Sequence, residues 1–592
     1  MRRKRQLARV ASADPSAHSG RASPAFAAPW TEARGDVACA VAVAAAILVL
    51  FAPAAFHDFV NVDDRAYVLS NPLVLEGLTV EGFIRAWTQV VFLNWAPLTI
   101  LSLQFDSTLF GVEPVGFHLT NVVLHAITVG MICLALIRMT GQRARAMAAA
   151  ALFGMHPLRV ESVAWIAERK DVLSMVFIAA ALLAYDRYCR HPTRGRLAWV
   201  WLAMLGSLLA KATAVTLPAL LLILDVWPLG RTPLAGRRGG TEPPLGPVHP
   251  AVGWRLIAAE KIPLIGLTVV FSVVTLATQA PAIAGGDQAP LFFVRIPNAL
   301  AAIGGYAWDT LVPLRLHPAH AHDGLLGKAV GSVWAGGGVT AMLALAAWLC
   351  AHRCPAVTAG LTWFVVALSP ILGIVAQQGF QARADRFTYL PHIGLAIAAV
   401  WGVGDLLAWW RLDRRWSAGL LAACTAGCMF LTTLQIGVWR DSWTLWSHVV
   451  AIEPDNAIAH RCLGEAWFDR GNLEKAASEF ETSLAIYETS QAHVWLGITR
   501  DRQGRSAEAY DEYAVAIRLA PDDAQAHNHA GSLLARGGHI QEALAHFEQA
   551  AILAPGDEDV MHNLAQARAL LRISNGPAGG LDPSAPETAE GK

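Results

Sequence analysis

The chain has 592 residues, of which 54% are hydrophobic and only 16% are charged, and its mean hydropathy is +0.40. Soluble domains usually carry about a quarter charged residues, so this composition indicates a membrane protein. The formal net charge is zero and no basic tract with interleaved aromatic residues is present, which argues against nucleic-acid binding. The eight cysteines lie mostly in apolar runs and are interpreted as small hydrophobic residues.

The N-terminal 35 residues are basic at first and then rich in Ala, Ser and Pro, without an apolar period. They predict a disordered cytoplasmic tail over residues 1–35. The first apolar run extends over twenty residues from Val37 to Phe56, which is long enough to cross a bilayer. Because this run begins far from the basic start, a retained first helix is favoured over a cleaved signal peptide.

Ten further apolar segments follow, and together with the first they predict a helix bundle of about eleven spans over residues 36–440. The apolar segment 296–316 is bounded by prolines and is predicted to lie in a long outer loop. The ten segments are 118–138, 144–156, 172–189, 197–210, 213–229, 262–280, 332–350, 357–376, 388–410 and 416–437.

The charges of the connecting loops indicate the orientation of the bundle. Short cytoplasmic loops usually hold an excess of Lys and Arg. With the N-terminus inside, the cytoplasmic loops include "IRMTGQRAR", "DRYCRHPTRGR" and "WWRLDRR", all of them basic. An odd number of spans then predicts that the C-terminal part of the chain lies on the extracytoplasmic side.

The C-terminal part repeats with a period of about 34 residues. Three units align, with small residues at Gly464, Gly497 and Gly531, and they resemble tetratricopeptide repeats, whose paired helices stack into a solenoid. The turn glycines of the three units are taken as Gly471, Gly504 and Gly537, and the shared aromatic residues as Phe480, Tyr513 and Phe547. Three repeats and a capping helix are predicted over residues 441–573, followed by a disordered tail over 574–592.

Three polar clusters are predicted on the outer face, where ionisable residues are functional candidates. A carboxylate beside cationic side chains suits group transfer from a phospholipid-like donor, since Arg and Lys bind a phosphate and an Asp accepts a proton. The alternative for each residue is a charged loop at headgroup level. The clusters are Asp63, Asp64 and Arg65; Arg159, Glu161, Glu168, Arg169, Lys170 and Asp171; and Arg383, Asp385 and Arg386.

Several motifs, in a fixed order, carry a family resemblance. They include "DFVNVDDRAYVLSNPLV", "NWAPLTILSLQFDSTLFG", "ALFGMHPLRVESVAWIAERKDVLSMVFIAAALLAY", "KATAVTLPALLLILDVWPL" and "RADRFTYLP". In this order, followed by tetratricopeptide repeats, they resemble the transmembrane-and-TPR O-mannosyltransferases. The resemblance implies a GT-C glycosyltransferase, which is a multispan enzyme with an outer active site, a polyprenyl-phosphate sugar donor and acidic residues in the first outer loop.

The resemblance also implies roles for particular residues. Asp63 and Asp64 match the acidic pair, and one of them is the expected catalytic base. Arg386 is the candidate ligand of the donor phosphate, with help from Arg169 or Lys170. The supporting residues of the site are Glu161, Asp171 and Asp385. Whether a divalent metal takes part is left open.

Two other groups have simpler interpretations. Lys211 is interpreted as an anchor whose long side chain reaches the membrane interface. The histidines of "HPAHAHD" (His317, His320 and His322, followed by Asp323) could bind a metal, but a polar loop is the favoured interpretation.

The sequence therefore predicts an all-α protein that transfers a sugar, with mannose as one candidate, to a hydroxyl acceptor such as Ser or Thr of a protein. The repeats would bind the acceptor or a protein partner. The composition, rich in Ala, Arg and Trp, indicates a bacterial inner-membrane protein. One alternative is a membrane-anchored repeat scaffold without catalysis, and a transporter is disfavoured because no internal duplication of the spans is found.

Overall fold

A computed structural model describes residues 30–233, 251–284, 292–321, 329–374 and 381–575. The N-terminal tail predicted up to residue 35 lies outside these ranges, apart from its last six residues, which form the start of the first helix at Trp30. The predicted C-terminal tail likewise lies outside, apart from two residues at the end of the last helix, which closes at Asn575. Both helices extend beyond their predicted ends into polar sequence, since only an apolar period marks a helix in the sequence.

The predicted all-α class is confirmed. Short 3₁₀ and π turns connect the helices, among them Ala52–Phe56, Arg65–Leu69, Ile166–Glu168, Ala212–Thr216 and Asp385–Thr388. The helices of the apolar part are Trp30–Phe51, Pro72–Leu75, Val80–Thr88, Pro97–Phe110, Pro114–Thr140, Arg143–Gly154, Val160–Ala164, Arg169–Arg190, Arg194–Ala210, Leu217–Val226, Trp254–Ala284, Phe292–Leu311, Ala329–Cys350, Pro355–Leu368, Pro391–Trp409 and Arg414–Val438.

Each of the eleven predicted apolar segments overlaps a helical stretch within the residues that the structure describes. Within the described ranges, seven helices are long and apolar enough to cross a membrane, and two shorter apolar helices are Ala212–Val226 and Pro355–Ile371. The total of about eleven spans therefore stays a prediction. The helix Pro114–Thr140 is central to the bundle, because it packs against both Trp30–Phe51 and Arg169–Arg190.

The segment predicted to lie in an outer loop at 296–316 is largely helical, but it is not among the seven helices long and apolar enough to cross a membrane, so its place outside the membrane stays a prediction. Phe292–Leu311 forms a helix that packs along Ala329–Cys350, and the contact is so close that a Cβ atom on Gly304 would lie 2.4 Å from the Cα atom of Gly336. Pro297 lies inside this helix, where it removes one backbone hydrogen bond.

One short pair of strands lies beside this helix. His320–Ala321 pairs antiparallel with Gln381–Arg383, and His320 is opposite Arg383. The pairing brings the histidine segment next to the turn Asp385–Thr388, which contains the predicted phosphate ligand Arg386.

The three predicted repeats are present as three helix pairs, preceded by the helix Ser442–Ile452 and followed by the predicted capping helix. In each pair the small residue and the aromatic residue are in contact, as the sequence period requires. The helices are Ala457–Asp469 with Leu473–Ile486, Ser490–Arg502 with Ser506–Leu519, Ala524–Arg536 with Ile540–Leu553, and the cap Glu558–Asn575.

The turn glycine of the third repeat is Gly538 rather than the predicted Gly537. The backbone φ is +77° at Gly471, +79° at Gly504 and +83° at Gly538, whereas Gly537 has φ −75°. A left-handed turn favours glycine because a side chain is strained at positive φ. The spacing could have identified the residue, since each turn glycine follows the small residue of its own repeat by seven positions.

Gly464→Ala is expected to destabilise the first repeat by about 1–3 kcal/mol, because overpacking a filled core costs that much. An added Cβ would lie 2.6 Å from the ring of Phe480, which is fully buried, so the ring or the helix would have to shift. The measurement is thermal unfolding of the purified chain. Gly556→Ala is the control, because a Cβ there meets nothing within 4 Å. An equal midpoint for the two variants would contradict the close packing.

Candidate functional site

The two aspartates of the loop that follows the first helix occupy different environments. The carboxylate of Asp64 is completely buried, and its two oxygens accept hydrogen bonds from the backbone N–H groups of Val60 at 3.0 Å and Ala167 at 2.8 Å. Burial raises the pKa of Asp64 to about 7, although both hydrogen bonds oppose this. The contacts tie the loop to the turn Ile166–Glu168, so both oxygens of Asp64 are engaged by the protein itself.

The side chain of Asp63 is instead accessible. It is 20% exposed, and its Oδ2 lies 4.0 Å from the ammonium of Lys170. Burial of the rest of the group raises the pKa of Asp63, while Lys170 lowers it. Of the predicted acidic pair, Asp63 is therefore the carboxylate that an acceptor can reach.

Three cationic side chains converge on one buried carboxylate, that of Glu168. Its oxygens lie 3.3 Å from the Lys170 ammonium, 3.2 Å from Nε of Arg386 and 3.0 Å from the ammonium of Lys211. Lys211 also lies 2.7 Å from a carboxylate oxygen of Asp171. The interpretation of Lys211 as an interfacial anchor was wrong, because the side chain points into a charged cluster of the protein and pairs there.

Arg386 is held by Glu161 as well as by Glu168. Its guanidinium lies 2.5 Å from Oε1 of Glu161, and its backbone N–H donates to the other oxygen of that carboxylate at 3.1 Å. The guanidinium also lies 5.2 Å from the centre of the Trp165 ring, a cation–π contact. Burial raises the pKa of Glu161, although Arg386 opposes the shift. The predicted residues Glu161 and Arg386 are thus brought together, although 225 positions separate them.

Arg169 occupies a different position from its neighbour Lys170. It is fully buried and forms an ion pair of 2.6 Å with Asp106. It also donates to the hydroxyl of Ser102 at 2.8 Å, to the carbonyl of Phe117 at 2.8 Å and to the side-chain oxygen of Asn121. Four of the five N–H groups of the guanidinium donate to these partners, and the side chain is fully buried, so it is not accessible to a lipid phosphate.

Asp171 and Asp385, the remaining predicted residues, differ in their surroundings. Asp171 joins the cluster through Lys211, and its second oxygen lies 3.4 Å from the hydroxyl of Ser162. Asp385 precedes Arg386 in the chain, but its carboxylate lies 3.5 Å from Nε2 of His320 instead.

The repeats pack directly on the loop that carries Asp63. The backbone N–H of Asn61 donates to the hydroxyl of Ser442 at 2.9 Å, and its side chain donates to the carbonyl of Cys462 at 2.9 Å. The indole of Trp446 donates to the side-chain oxygen of Asn61 at 2.8 Å. The loop and the first repeat therefore lie on the same side of the helix bundle.

A second buried charged network was missed in the sequence. Lys261 lies 2.8 Å from a carboxylate oxygen of Asp225, Arg231 lies 2.8 Å from Glu260, and the hydroxyl of Tyr185 donates to Asp225 at 2.7 Å. Tyr185 follows Lys170 by fifteen positions on one helix, which places the two about 22 Å apart. This network is thus separate from the site around Asp63.

The cluster around Asp63 combines two chemical capabilities. An accessible carboxylate with a raised pKa can accept a proton, and Lys170, Lys211 and Arg386 can stabilise negative charge beside it. Glu168 holds the three cations together against their mutual repulsion.

Comparison with known proteins finds similar proteins that are named protein O-mannosyl-transferases. The chain is 25% identical over 506 residues to Protein O-mannosyl-transferase Tmtc1 of Drosophila melanogaster, with 71% of this chain and 58% of the relative covered. It is 25% identical over 515 residues to Protein O-mannosyl-transferase TMTC4 of Homo sapiens, with 73% of this chain and 64% of the relative covered. The chain thus spans less than two thirds of the length of either relative. No protein-family model matches the chain.

Among solved structures, the chain is similar to ArnT from Cupriavidus metallidurans bound to undecaprenyl phosphate, at 18% identity and a TM-score of 0.34, with 83% of this chain and 81% of that chain covered. It is also similar to MamA, at 19% identity and a TM-score of 0.21, with 22% of this chain and 77% of that chain covered. Both scores are low, so neither likeness bears on the site. By sequence, the chain is a relative of the TMTC protein O-mannosyl-transferases, the family that its motifs resemble.

Proposed function

We propose that the chain is a membrane glycosyltransferase that moves a sugar from a polyprenyl-phosphate donor to a hydroxyl acceptor. The observation that carries this proposal is the accessible Asp63 carboxylate beside three cations that share Glu168. The names of the relatives favour mannose as the sugar and a protein as the acceptor.

The proposed reaction is a single displacement at the anomeric carbon. Asp63 takes the proton of the acceptor hydroxyl as its oxygen bonds to the sugar, and the bond from the sugar to the phosphate oxygen breaks. The polyprenyl phosphate leaves with the electron pair and gains one negative charge. Lys170, Lys211 and Arg386 stabilise this added charge. Because the charge develops only as the bond breaks, its stabilisation lowers the barrier and accelerates the reaction. The configuration of the sugar is inverted.

The other predicted residues have positioning roles in this proposal. Asp64 fixes the loop that presents Asp63, and Glu161 and Asp171 hold Arg386 and Lys211 in place. Arg169 is assigned to the packing of its helix rather than to the donor, because its side chain is fully buried and donates to Asp106 and three other partners.

The site is proposed to face the extracytoplasmic side of a bacterial inner membrane, with the N-terminus in the cytoplasm. The basic loops on the opposite side support this orientation. The repeats pack on the Asp63 loop through Asn61, so an acceptor chain bound in their groove would lie near the site.

The test is transfer of radiolabelled sugar from native membrane lipids in vesicles that contain the full chain. We expect labelled acceptor with the wild-type chain, and we expect Lys211→Gln to lower kcat and kcat/KM roughly 10- to 100-fold, because a hydrogen bond to a charged group contributes about 1.5–3 kcal/mol and this one forms fully only as the phosphate leaves. Lys211 is the most exposed of the three cations, with 23% of its side chain accessible.

Lys261→Gln is the matched control. It also removes an ammonium that lies close to two carboxylates, those of Asp225 and Glu260, but in the separate network. Its kcat/KM is expected to stay at the wild-type value. If wild-type vesicles transfer no more label than empty vesicles, the transferase proposal is contradicted and the scaffold without catalysis is favoured.

A further inference from the structure

A group of histidines and carboxylates lies between the strand pair and the end of the helix Ser442–Ile452, which precedes the repeats. His317 and His320 are buried, and the centres of their rings are 3.8 Å apart. Glu453, directly after the helix Ser442–Ile452, places a carboxylate oxygen 3.1 Å from Nε2 of His317 and 3.8 Å from Nδ1 of His320. The two histidines are three positions apart, and Glu453 follows them by more than 130 positions.

We propose that His317, His320 and Glu453 bind a divalent transition-metal cation of the zinc type. Two imidazoles and one carboxylate form a ligand set that zinc accepts, with bonds of about 2.0–2.2 Å. Tetrahedral geometry with such bonds places neighbouring ligand atoms about 3.3 Å apart. The separations of 3.1 and 3.8 Å lie on either side of that value, and one ligand atom from each residue can be chosen so that all lie within 4.8 Å of one another.

The orientation of His317 supports this assignment. Its Nε2 lies 3.1 Å from the Glu453 oxygen, yet neither ring nitrogen has a hydrogen-bond partner among the described residues. The oxygen is therefore close to the nitrogen but out of line with its N–H direction. Ligands that share a metal are arranged in this way, since each points at the ion and not at the other ligand.

The surroundings of His320 supply the outer shell that such a site needs. Metal-bound histidines usually donate their second ring N–H to a carboxylate, which fixes the orientation of the ring. Nε2 of His320 lies 3.5 Å from a carboxylate oxygen of Asp385 without a hydrogen bond between them, which makes Asp385 the nearby candidate for this role, and Nδ1 lies on the side of Glu453 and the proposed cation. Asp309, His320 and Asp385 form a second group of possible ligands on the other side of the same ring.

The alternative occupant of the cluster is a proton. Burial lowers the pKa of His320, but Asp385 and Glu453 outweigh that effect and raise it to about 9. A protonated His320 would also balance part of the negative charge of the Asp385 and Glu453 carboxylates beside it. A metal that binds here must displace this proton, so binding and proton release are coupled.

The proposed ion would have a positioning role. It would join the start of the repeat region, through Glu453, to the segment of Asp385 and Arg386. The ion lies outside the proposed displacement reaction, so its test needs no transfer assay. The favoured interpretation of "HPAHAHD" as a plain polar loop is replaced by this proposal for His317 and His320; His322 and Asp323 lie outside the described residues.

The experiment is zinc binding by the full chain in detergent. The protein is stripped with a chelator and dialysed, zinc is titrated against a chromogenic competitor, and bound metal is counted by mass spectrometry. We expect one zinc per wild-type chain. Asp385→Asn should weaken zinc binding about 10- to 100-fold, because Asp385 orients a ligand without binding the metal itself. His317→Gln and Glu453→Gln should weaken zinc binding further, because each removes a ligand.

His493→Gln is the matched control, because His493 is also a largely buried histidine beside two carboxylates, those of Glu512 and Glu488, but in the second repeat. It should bind zinc like the wild-type chain. A stripped wild-type chain that does not regain one equivalent would overturn the proposal, and this result requires no variant. Equal zinc affinity in the wild-type, His317→Gln and Glu453→Gln chains would also overturn it, since the metal would then be held elsewhere.

Discussion

Asp63→Asn is expected to lower the rate of sugar transfer by about 10²- to 10⁴-fold, the usual contribution of a positioned general base. The variant should fold normally, because the Asp63 side chain is partly exposed and its ion partner Lys170 remains paired with Glu168. The measurement is the transfer rate at saturating donor in vesicles, together with the thermal midpoint of the purified chain.

Asp64→Asn is the informative companion, because the two residues are neighbours with different contacts. Its new amide group would direct an N–H at a backbone N–H, of either Val60 or Ala167, and leave that donor without an acceptor. We expect a loss of about 1–3 kcal/mol in stability. A fall in activity without a fall in stability for Asp64→Asn, with Asp63→Asn fully active, would show that the two roles are reversed.

The pH dependence gives a further check on Asp63. A base acts in its deprotonated form, so kcat/KM should fall as the pH is lowered through the pKa of this carboxyl. Burial raises that pKa above the ordinary value of about 4, so the fall should begin nearer neutrality than for an exposed aspartate. A flat profile across the acidic range would contradict the assignment.

Breaking the buried pair of Arg169 and Asp106 is expected to cost about 3–5 kcal/mol, because the remaining charge would stay buried without a partner. Arg169→Met and Asp106→Leu should each lower the free energy of unfolding by this amount. The measurement is denaturant unfolding of the detergent-solubilised chain. The double variant should recover most of this loss, because an apolar pair leaves no isolated charge.

This experiment separates two roles for Arg169. If Arg169 binds donor phosphate, as the family resemblance implies, Arg169→Met should raise the donor KM with little loss of stability, and Asp106→Leu should leave the KM unchanged. Glu548→Gln is the control for the loss of an ion pair, since its pair with Arg568 is half exposed and should contribute less than about 1 kcal/mol. A double variant as unstable as the single ones would contradict the ion-pair explanation.

Much of the architecture was predictable because its signals are local. An apolar run of sufficient length indicates a helix whichever neighbours it packs against. The repeats were predictable because the contact between Gly464 and Phe480 recurs at the same spacing in each unit. The same spacing, seven positions after Gly531, predicts the turn at Gly538 rather than at the adjacent Gly537.

The site was predictable only as a set of clusters. The motifs indicated that the Asp63 loop, the Glu161–Asp171 segment and Arg386 act together, and the structure brings Glu161 and Arg386 into contact. The sequence could not assign different roles to neighbouring residues. Asp63 and Asp64 have the same side chain, and Arg169 and Lys170 carry the same charge, so only the direction of each side chain separates them.

By itself the sequence determined the helical class, the apolar segments, the repeats and the residues of the polar clusters. Only the tertiary structure decided which charges meet. Asp106 and Arg169 are 63 positions apart, and Lys211 meets Glu168 across 43 positions. The energy of an ion pair depends on the burial and distance of both groups, and these follow from how helices pack rather than from the period of any one helix.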